Sequence, residues 1–451
     1  MVKVIRIKRG LDIKLKGGAK DVFAKANPAD LFAVKPTDFQ GITPKVVVKE
    51  GENVKAGTVL FYDKKNPAIQ VVSPVSGTVL AVNRGEKRKV LDIRIQSDGQ
   101  FTSEPFEKAQ PSDLSAEQIK ERFTAGGFWS FIRQRPYDVV ANPYDTPKAI
   151  FISGFDSAPL APDYDFILVG KNEDFQLGIN ALAKLTAGKI HIGINTEYAS
   201  KVFKETKGVV IHEFRGKHPV GNVGVQIHHI APVNKGEVVW TVNPQDVVTI
   251  GHAFRKGILD FSRSVVLCGC CVKNPAYYKT VYGASVSTIV DGNIINAGQA
   301  RYISGNPLTG TQIAADGFLG AYDAQITVIP EGNTQEFLGW IMPRLKKFSV
   351  NHSYFSWLTP NKEYCLDTNL NGGERAFIMS GEYDKVFPMD ILPEFLVKAI
   401  LSKDITRMEQ LGIYEVAPED FALCEFVCTS KIETQRIVRE GLDFLKKEME
   451  C

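Results

Sequence analysis

Between residues 42 and 97, short runs rich in β-branched side chains recur at close spacing: 45–49, 59–62, 69–72, 78–82 and 90–96, separated by Gly51, Gly57, Gly77 and Gly85. Short strands broken by turn residues predict an all-β barrel or sandwich. A polar, proline-punctuated stretch over 100–120 leads into a predicted helix at 116–124. From there to about 253 the pattern becomes α/β. Continuous apolar runs at 149–154, 166–170, 189–194 and 209–212 predict buried strands, and an amphipathic stretch at 173–186, closed by Gly188, predicts a helix among them. Such alternation implies parallel βαβ units. A smaller α+β unit follows over 254–330. The tail reads as helical, with Ile391, Phe395 and Ile400, and then Ile437, Leu442 and Leu445, near helical spacing.

The expected architecture is therefore multidomain α/β and β. It comprises an N-terminal extension (1–41), a barrel (42–100), a Rossmann-like α/β domain (101–253), a small α+β domain of ubiquitin-like, SLBB type (254–330), a connecting region (331–387) and a helical C-terminal domain (388–451). With 451 residues, the chain is too long for one core and agrees with several domains. Its 44% hydrophobic and 23% charged content is that of an ordinary globular protein. A net charge of +3 gives no reason to expect nucleic acid as a partner. No run approaches the roughly 18 apolar residues that span a bilayer, and the start alternates charged and apolar residues where a signal peptide needs an unbroken apolar core. The expectation is no transmembrane helix, no signal peptide and a cytoplasmic location. Seven cysteines, an odd and sparse set, predict reduced thiols without a disulfide framework.

The run from Val46 to Leu60, with Gly51 and Gly57, followed by Ser73-Pro74-Val75-Ser76-Gly77-Thr78-Val79, resembles a biotinyl/lipoyl domain. In carrier domains a hairpin lysine between hydrophobic neighbours holds the cofactor. Here that hairpin reads Asp63-Lys64-Lys65-Asn66-Pro67, which departs from the carrier pattern and favours a structural barrel.

Longer segments carry a second resemblance: Val59 to Pro67, Val82 to Arg88, Arg133-Gln134-Arg135-Pro136-Tyr137, Lys148 to Ile152, Ile303 to Thr311, and Leu423-Cys424-Glu425-Phe426-Val427-Cys428. In this order they resemble the A-subunit family of the sodium-translocating NADH:quinone oxidoreductases, which is related to the C subunit of the Rnf complex and to the flavoprotein subunit of respiratory complex I. The resemblance implies a peripheral subunit on the cytoplasmic face of the bacterial inner membrane. It would belong to a six-subunit complex that carries electrons from NADH to ubiquinone and exports sodium ions. It also implies a link to quinone binding and contact chiefly with a membrane subunit, with flavins and an iron–sulfur centre on the partner subunits. The chain itself is then expected to bind no cofactor alone, to have no catalytic residue of its own, and to act as an enzyme only within the complex.

The residues bear on each of these points. Flavin-binding relatives present a glycine-rich loop before a helix, where backbone N–H groups cradle phosphate. The nearest segment, Ala125-Gly126-Gly127-Phe128-Trp129-Ser130-Phe131, places aromatics where close backbone approach is needed. Cys424-x3-Cys428 followed by Thr429 lacks the four cysteines of a cluster run, and Cys268-x-Cys270-Cys271 has poor ligand geometry, so no metal site is expected. The histidines form no recognised ligand pairs. A quinone needs an apolar, aromatic-lined cleft with one or two polar donors. Phe128, Trp129, Phe131, Arg133, Arg135 and Tyr137 have that composition, and the competing reading is a buried helix with its arginines paired to carboxylates. Val34 to Phe39, ending in Phe39, is a second candidate. Two other functions stay open: a self-contained flavin or iron–sulfur oxidoreductase, and a lipoyl-like carrier modified at Lys64 or Lys65.

Overall fold

The structure is a computed structural model and describes residues 4–197, 201–333, 337–339 and 347–449. Within the 331–387 connecting region, 334–336 and 340–346 lie outside the described residues. Among the described residues, four sheets carry the strands.

The largest sheet runs in the order Ile5–Arg6, Val209–Arg215, Lys189–Asn195, Ala149–Ser153, Val239–Val242, Ile132–Arg135, Val139–Val140. Its first five strands are parallel, and Ile132–Arg135 runs antiparallel to both of its neighbours. The 149–154 and 189–194 runs form strands because they are buried on both faces: Ile150, Phe151, Ile152, Ile190 and Ile192 are all core residues. The helices Asn172–Ala183 and Pro244–Lys256 pack on each other through glycines. A Cβ on Gly178 would lie 2.1 Å from the Val247 carbonyl oxygen, and one on Gly251 would lie 1.7 Å from that of Asp174, so only glycine permits this approach.

The expected strand at 166–170 is instead a short helix, Tyr164–Ile167. Asp163 caps it, its carboxylate accepting from the N–H groups of Asp165 and Phe166, and that local bond competes with strand formation. Val169, expected in the core, is exposed.

The N-terminal barrel consists of two small sheets. One orders Leu31–Val34, Val90–Ser97, Gly77–Arg84 and Asn53–Val54; the other orders Pro44–Val46, Val59–Asp63 and Gln70–Val72. Leu60, Phe61, Val71, Val72, Val79, Ile93 and Ile95 fill the space between them and join the core of the α/β layer. The first forty residues, read as an extension, supply strands to two sheets: Ile5–Arg6 beside Val209–Arg215, and Leu31–Val34 beside Val90–Ser97. In the hairpin that would hold a carrier lysine, Asp63 is buried and accepts from the Thr43 N–H, and Asn66 donates to Asn142.

A five-stranded sheet follows: Ala276–Val281, Ser262–Cys268, Gln325–Pro330, Ala300–Ser304, Thr311–Ile313. Cys270 just beyond it is disulfide-bonded to Cys365, contrary to the expectation of reduced thiols. The topology brings these two cysteines together across 95 residues of sequence, a proximity that cysteine spacing does not reveal. The C-terminal region is helical, with Pro393–Leu401, Ile405–Gln410, Ala422–Val427 and Thr434–Met449. Pro393 sets the start of its helix, leaving Ile391 outside, and the buried stripe is Leu396, Val397 and Ile400, while Phe395 faces solvent.

Candidate functional site

The order of the large sheet defines a crevice. From Ala149–Ser153 the chain proceeds to Lys189–Asn195 on one side, and the later strand Val239–Val242 lies on the other. In open α/β sheets this reversal of strand order leaves a gap outside the carboxyl ends, where ligands bind. A cavity of about 480 Å³ opens there, lined by Ser153 and Phe155 after one strand and by Thr241, Val242 and Asn243 at the end of the other. A larger cavity of about 800 Å³ lies beside the irregular 347–375 segment, and its charged residues Arg301, Lys347, Glu425 and Lys431 are only half-buried. Buried charge is concentrated at the smaller one.

Helix Pro244–Lys256 begins at that cavity. Asn243 caps it by accepting from the Gln245 N–H, and its amide donates to Tyr164 Oη. Gln245 clamps the first turn to the neighbouring sheet through both the N–H and the carbonyl of Ser264. This helix N-terminus is where a doubly wound fold offers its N–H groups to phosphate. Here the first turn carries a carboxylate of its own, Asp246, held by Arg263 at 2.5 Å, with both residues buried. The second oxygen, Asp246 Oδ2, has no hydrogen-bond partner. Burial pushes its pKa up to about 6 against the pull of Arg263.

Other elements bring further acids to the same wall. Asp38, from the short turn Pro36–Asp38, accepts from the Ala321 N–H; Asp156 accepts from the Ala158 N–H; and Asp323 accepts from Ser304 Oγ. Burial raises the pKa of all three. His218 also lines the cavity. Its Nδ1 lies 3.0 Å from Ser157 Oγ, while Nε2 is buried without a partner. Ser157 Oγ also accepts from the Gly221 N–H. Burial holds the imidazole neutral by pushing its pKa down to about 4.

The residues proposed from composition divide at this site. Phe131 and Arg133 line the cavity. Arg133 stacks its guanidinium over the ring of Tyr322, another lining residue. Phe39 is buried and packs edge-on against Tyr322, beside the lining residues Thr37, Asp38 and Gln40. Phe128 and Trp129 are fully buried in the core, where Trp129 meets Trp240 edge to face. Arg135 is buried in an ionic cluster: Nη2 donates to Glu419 at 2.9 Å, with Asp420 at 3.5 Å and Asp138 at 3.8 Å. Arg133 reaches Asp138 at 3.0 Å, and Arg439 donates to the carbonyls of Tyr137 and Asp138. Tyr137 packs edge-on against Tyr414. The arginine–carboxylate pairing of the competing reading is present, but on the strand Ile132–Arg135 that follows the short turn Phe128–Phe131 instead of on a helix, and it fastens the helical C-terminal region to the sheet.

Three family models match the chain: the NqrA N-terminal barrel-sandwich hybrid domain over residues 5–98, the NqrA second alpha/beta domain over 114–259, and the NQRA C-terminal domain over 264–315. The A subunit of the Na(+)-translocating NADH-quinone reductase of Haemophilus influenzae (strain PittGG) is 38% identical over 450 residues, covering 99% of this chain and 100% of the relative. Its counterpart in Pasteurella multocida (strain Pm70) is 37% identical over 448 residues, with coverage of 99% and 100%. The chain belongs to the A-subunit (NqrA) family of the Na(+)-translocating NADH-quinone reductases. Among solved structures, a chain of an NAD+-reducing [NiFe]-hydrogenase in the H2-reduced state aligns with 68% of this chain and 56% of its own length at 13% identity. Its TM-score of 0.34 is too low to bear on the site.

For a member of the NqrA family, two cofactor-related features have a defined geometry. In the glycine loop, Gly127 adopts a left-handed φ of 70°, and a Cβ there would lie 2.7 Å from Val72. A Cβ on Gly126 would strike the Phe128 ring at 2.6 Å. Gly127 therefore serves packing between the barrel and the sheet, Gly126 makes room for the Phe128 ring of its own loop, and the space a phosphate would need beside them is filled by these side chains. Cys424 and Cys428 are buried, with Tyr383 Oη 3.0 Å from Cys428 Sγ, and no group of three or more metal-ligating side chains occurs among the described residues. No helix among the described residues is long and apolar enough to cross a membrane.

Proposed function

We propose that this chain is the peripheral, cytoplasm-facing subunit of a six-subunit inner-membrane complex that passes electrons from NADH to ubiquinone and exports sodium ions. The observation that carries this reading is end-to-end relatedness: the match to the curated relatives covers 99% of this chain and 100% of the relative. In this reading the flavins and the iron–sulfur centre belong to partner subunits, a membrane subunit is the principal partner, and the chain serves assembly and the quinone site. Its three-part architecture is read as a biotinyl/lipoyl-like barrel without a carrier lysine, a Rossmann-like domain and a small SLBB-type domain.

The quinone ring is assigned to the cavity at the sheet's switch point. Its volume suits a ring-sized ligand. Phe131 and Tyr322 offer aromatic faces, and the unpartnered Nε2 of the uncharged His218 is free to hydrogen-bond a quinone or quinol oxygen. The acidic lining opposes phosphate, so a nucleotide fits poorly where an uncharged ring fits well. Two measurements test the halves separately. Adding the chain to a complex that lacks only its NqrA member should restore NADH-driven quinone reduction, and failure would remove the assignment to the complex. A photoreactive ubiquinone analogue in the assembled complex should label peptides containing Phe131, Arg133 or Tyr322. Labelling confined to other subunits would remove the quinone-site assignment alone.

A further inference from the structure

The hairpin Gly77–Arg84 and Val90–Ser97 outruns its neighbours. Leu31–Val34 pairs with it only from Gln96 to Ile93, and Asn53–Val54 only at Gly77 and Thr78. The last rungs, Asn83 to Asp92 and Arg84 to Val90, and the turn 85–89 carry no lateral strand. This end of the ribbon bears four exposed cations, Arg84, Lys87, Arg88 and Lys89, against the exposed carboxylate Glu86, while Asp92 is taken up by Asn83 and Arg94. Arg84 donates to the Arg88 carbonyl, and none of the four has a carboxylate within ion-pair distance among the described residues. Two β-bulges sit in the same ribbon, where the pairing skips Leu80 and Leu91, and both leucines face solvent at 55% and 44% exposure. Lys87 and Arg88 both hold left-handed φ angles, 52° and 59°. A hairpin turn of type I′ requires positive φ at both central residues, so the twist of the two strands fixes this tip, and the Lys89 N–H closes it on the Glu86 carbonyl.

We propose that this ribbon end is a docking finger that seats on an anionic lipid bilayer, its four cations on headgroup phosphates and its two leucines at the headgroup–acyl boundary. Cations beside exposed aliphatic side chains match that interface, because the charged layer and the apolar layer lie next to each other. The inference rests on the reading above that the chain works on the cytoplasmic side of a membrane complex. That side also decides between two acceptors. Cytoplasmic loops of membrane subunits carry excess Lys and Arg, which repel a cationic finger, whereas the lipids of that leaflet are anionic.

The test is co-sedimentation of the full-length chain with vesicles of phosphatidylcholine alone and with about 30% phosphatidylglycerol, an anionic fraction sufficient to attract basic segments. Binding is expected only to the anionic vesicles and should fall steeply with salt. The quadruple variant Arg84→Ser, Lys87→Gly, Arg88→Gly, Lys89→Ser should bind about six-hundredfold more weakly, since each of the four cations lost contributes about fivefold near such a surface. The pair Leu80→Ser, Leu91→Ser should weaken binding while leaving its salt dependence intact. Unchanged melting of both variants confirms that the fold survives. Soluble glycerol phosphate at the same phosphate concentration should not displace the protein. Equal binding to neutral vesicles, an unaffected quadruple variant, or complete displacement by glycerol phosphate would each overturn the proposal. So would cross-linking of the tip in the assembled complex to a partner protein instead of lipid. Because vesicle binding needs no partner protein, its failure is separable from failure of the complementation experiment.

Discussion

Arg135 is the residue whose removal should be felt most strongly. Its side chain is 1% exposed and faces Glu419, Asp420 and Asp138, within a cluster whose cations are Arg133, Arg135 and Arg439. Arg439 is shared with Asp443 at 2.7 Å, so Arg133 and Arg135 carry most of the compensation of these three carboxylates. Arg135→Met keeps the apolar stem but leaves three buried or half-buried anions facing two cations, a change that costs about 3–5 kcal/mol when one partner of a buried pair is lost. Glu419 is 29% exposed, so Glu419→Gln removes an anion that water already screens and should cost about 1 kcal/mol or less. The Arg135→Met deficit should also depend on pH. Burial already raises the folded pKa of Asp420 above its ordinary 3.8, with Arg135 working against it. A carboxyl group whose folded pKa lies above its unfolded one loses stability as pH rises between the two values. Removing Arg135 lifts the folded value further and widens that window upward, so the deficit grows from pH 6 to pH 8. Urea unfolding followed by tryptophan fluorescence reports on this region, because Trp129 and Trp240 sit in the adjoining core. A variant midpoint equal to wild type at pH 8, a loss from Glu419→Gln as large as that from Arg135→Met, or a deficit larger at pH 6 would refute this account.

Gly127→Ala should destabilise by about 2–4 kcal/mol, combining a left-handed backbone with overpacking against Val72, as read from thermal or urea midpoints. A neutral result would mean that the barrel–sheet contact is looser than described. His218, with a folded pKa near 4 against an ordinary 6.5, should stay uncharged down to about pH 5. Its unfolded form gains a proton first as pH falls, so it withdraws stability between pH 6.5 and 4, by about 3 kcal/mol in full. Titration of its imidazole resonances by NMR checks the value, and a midpoint at 6 or above would contradict the burial argument. Non-reducing peptide mapping should recover Cys270 joined to Cys365, with Cys268, Cys271, Cys424 and Cys428 as thiols. Cys365→Ser should lower stability under oxidising conditions by about 2–4 kcal/mol and leave the reduced protein unchanged.

What the sequence made legible follows from which physical constraints are local. Strands buried on both faces announce themselves as apolar runs, so 149–153 and 189–195 are readable without partners. The 166–170 run carries the same signal but lies behind Asp163, whose cap bond starts a helix, so a single polar residue upstream reverses the reading. The aromatic–arginine segment at 128–137 is conspicuous in composition, yet the meaning of each member depends on residues far away. Arg133 stacks on Tyr322, and Arg135 pairs with Glu419, 284 positions downstream. The rest of the cavity has no sequence motif because Asp38, Asp156, His218, Asp246 and Asp323 come from separate elements and meet only through sheet order. That order also gives the site its chemistry. A doubly wound fold places a helix N-terminus at its switch point, and a bare one attracts phosphate. In this chain Asp246 stands in the first turn of that helix, neutralised by buried Arg263, with three other burial-raised acids and an uncharged histidine nearby. Desolvation, and not local pairing, is the largest influence on each of those three acids and on Asp246. A phosphate entering there would face carboxylates that cannot all protonate at neutral pH, whereas an uncharged ring would meet one unpartnered imidazole nitrogen and one free carboxyl oxygen. The backbone arrangement that suits nucleotides elsewhere is thus surrounded here by carboxylates brought in from positions spread over nearly three hundred residues.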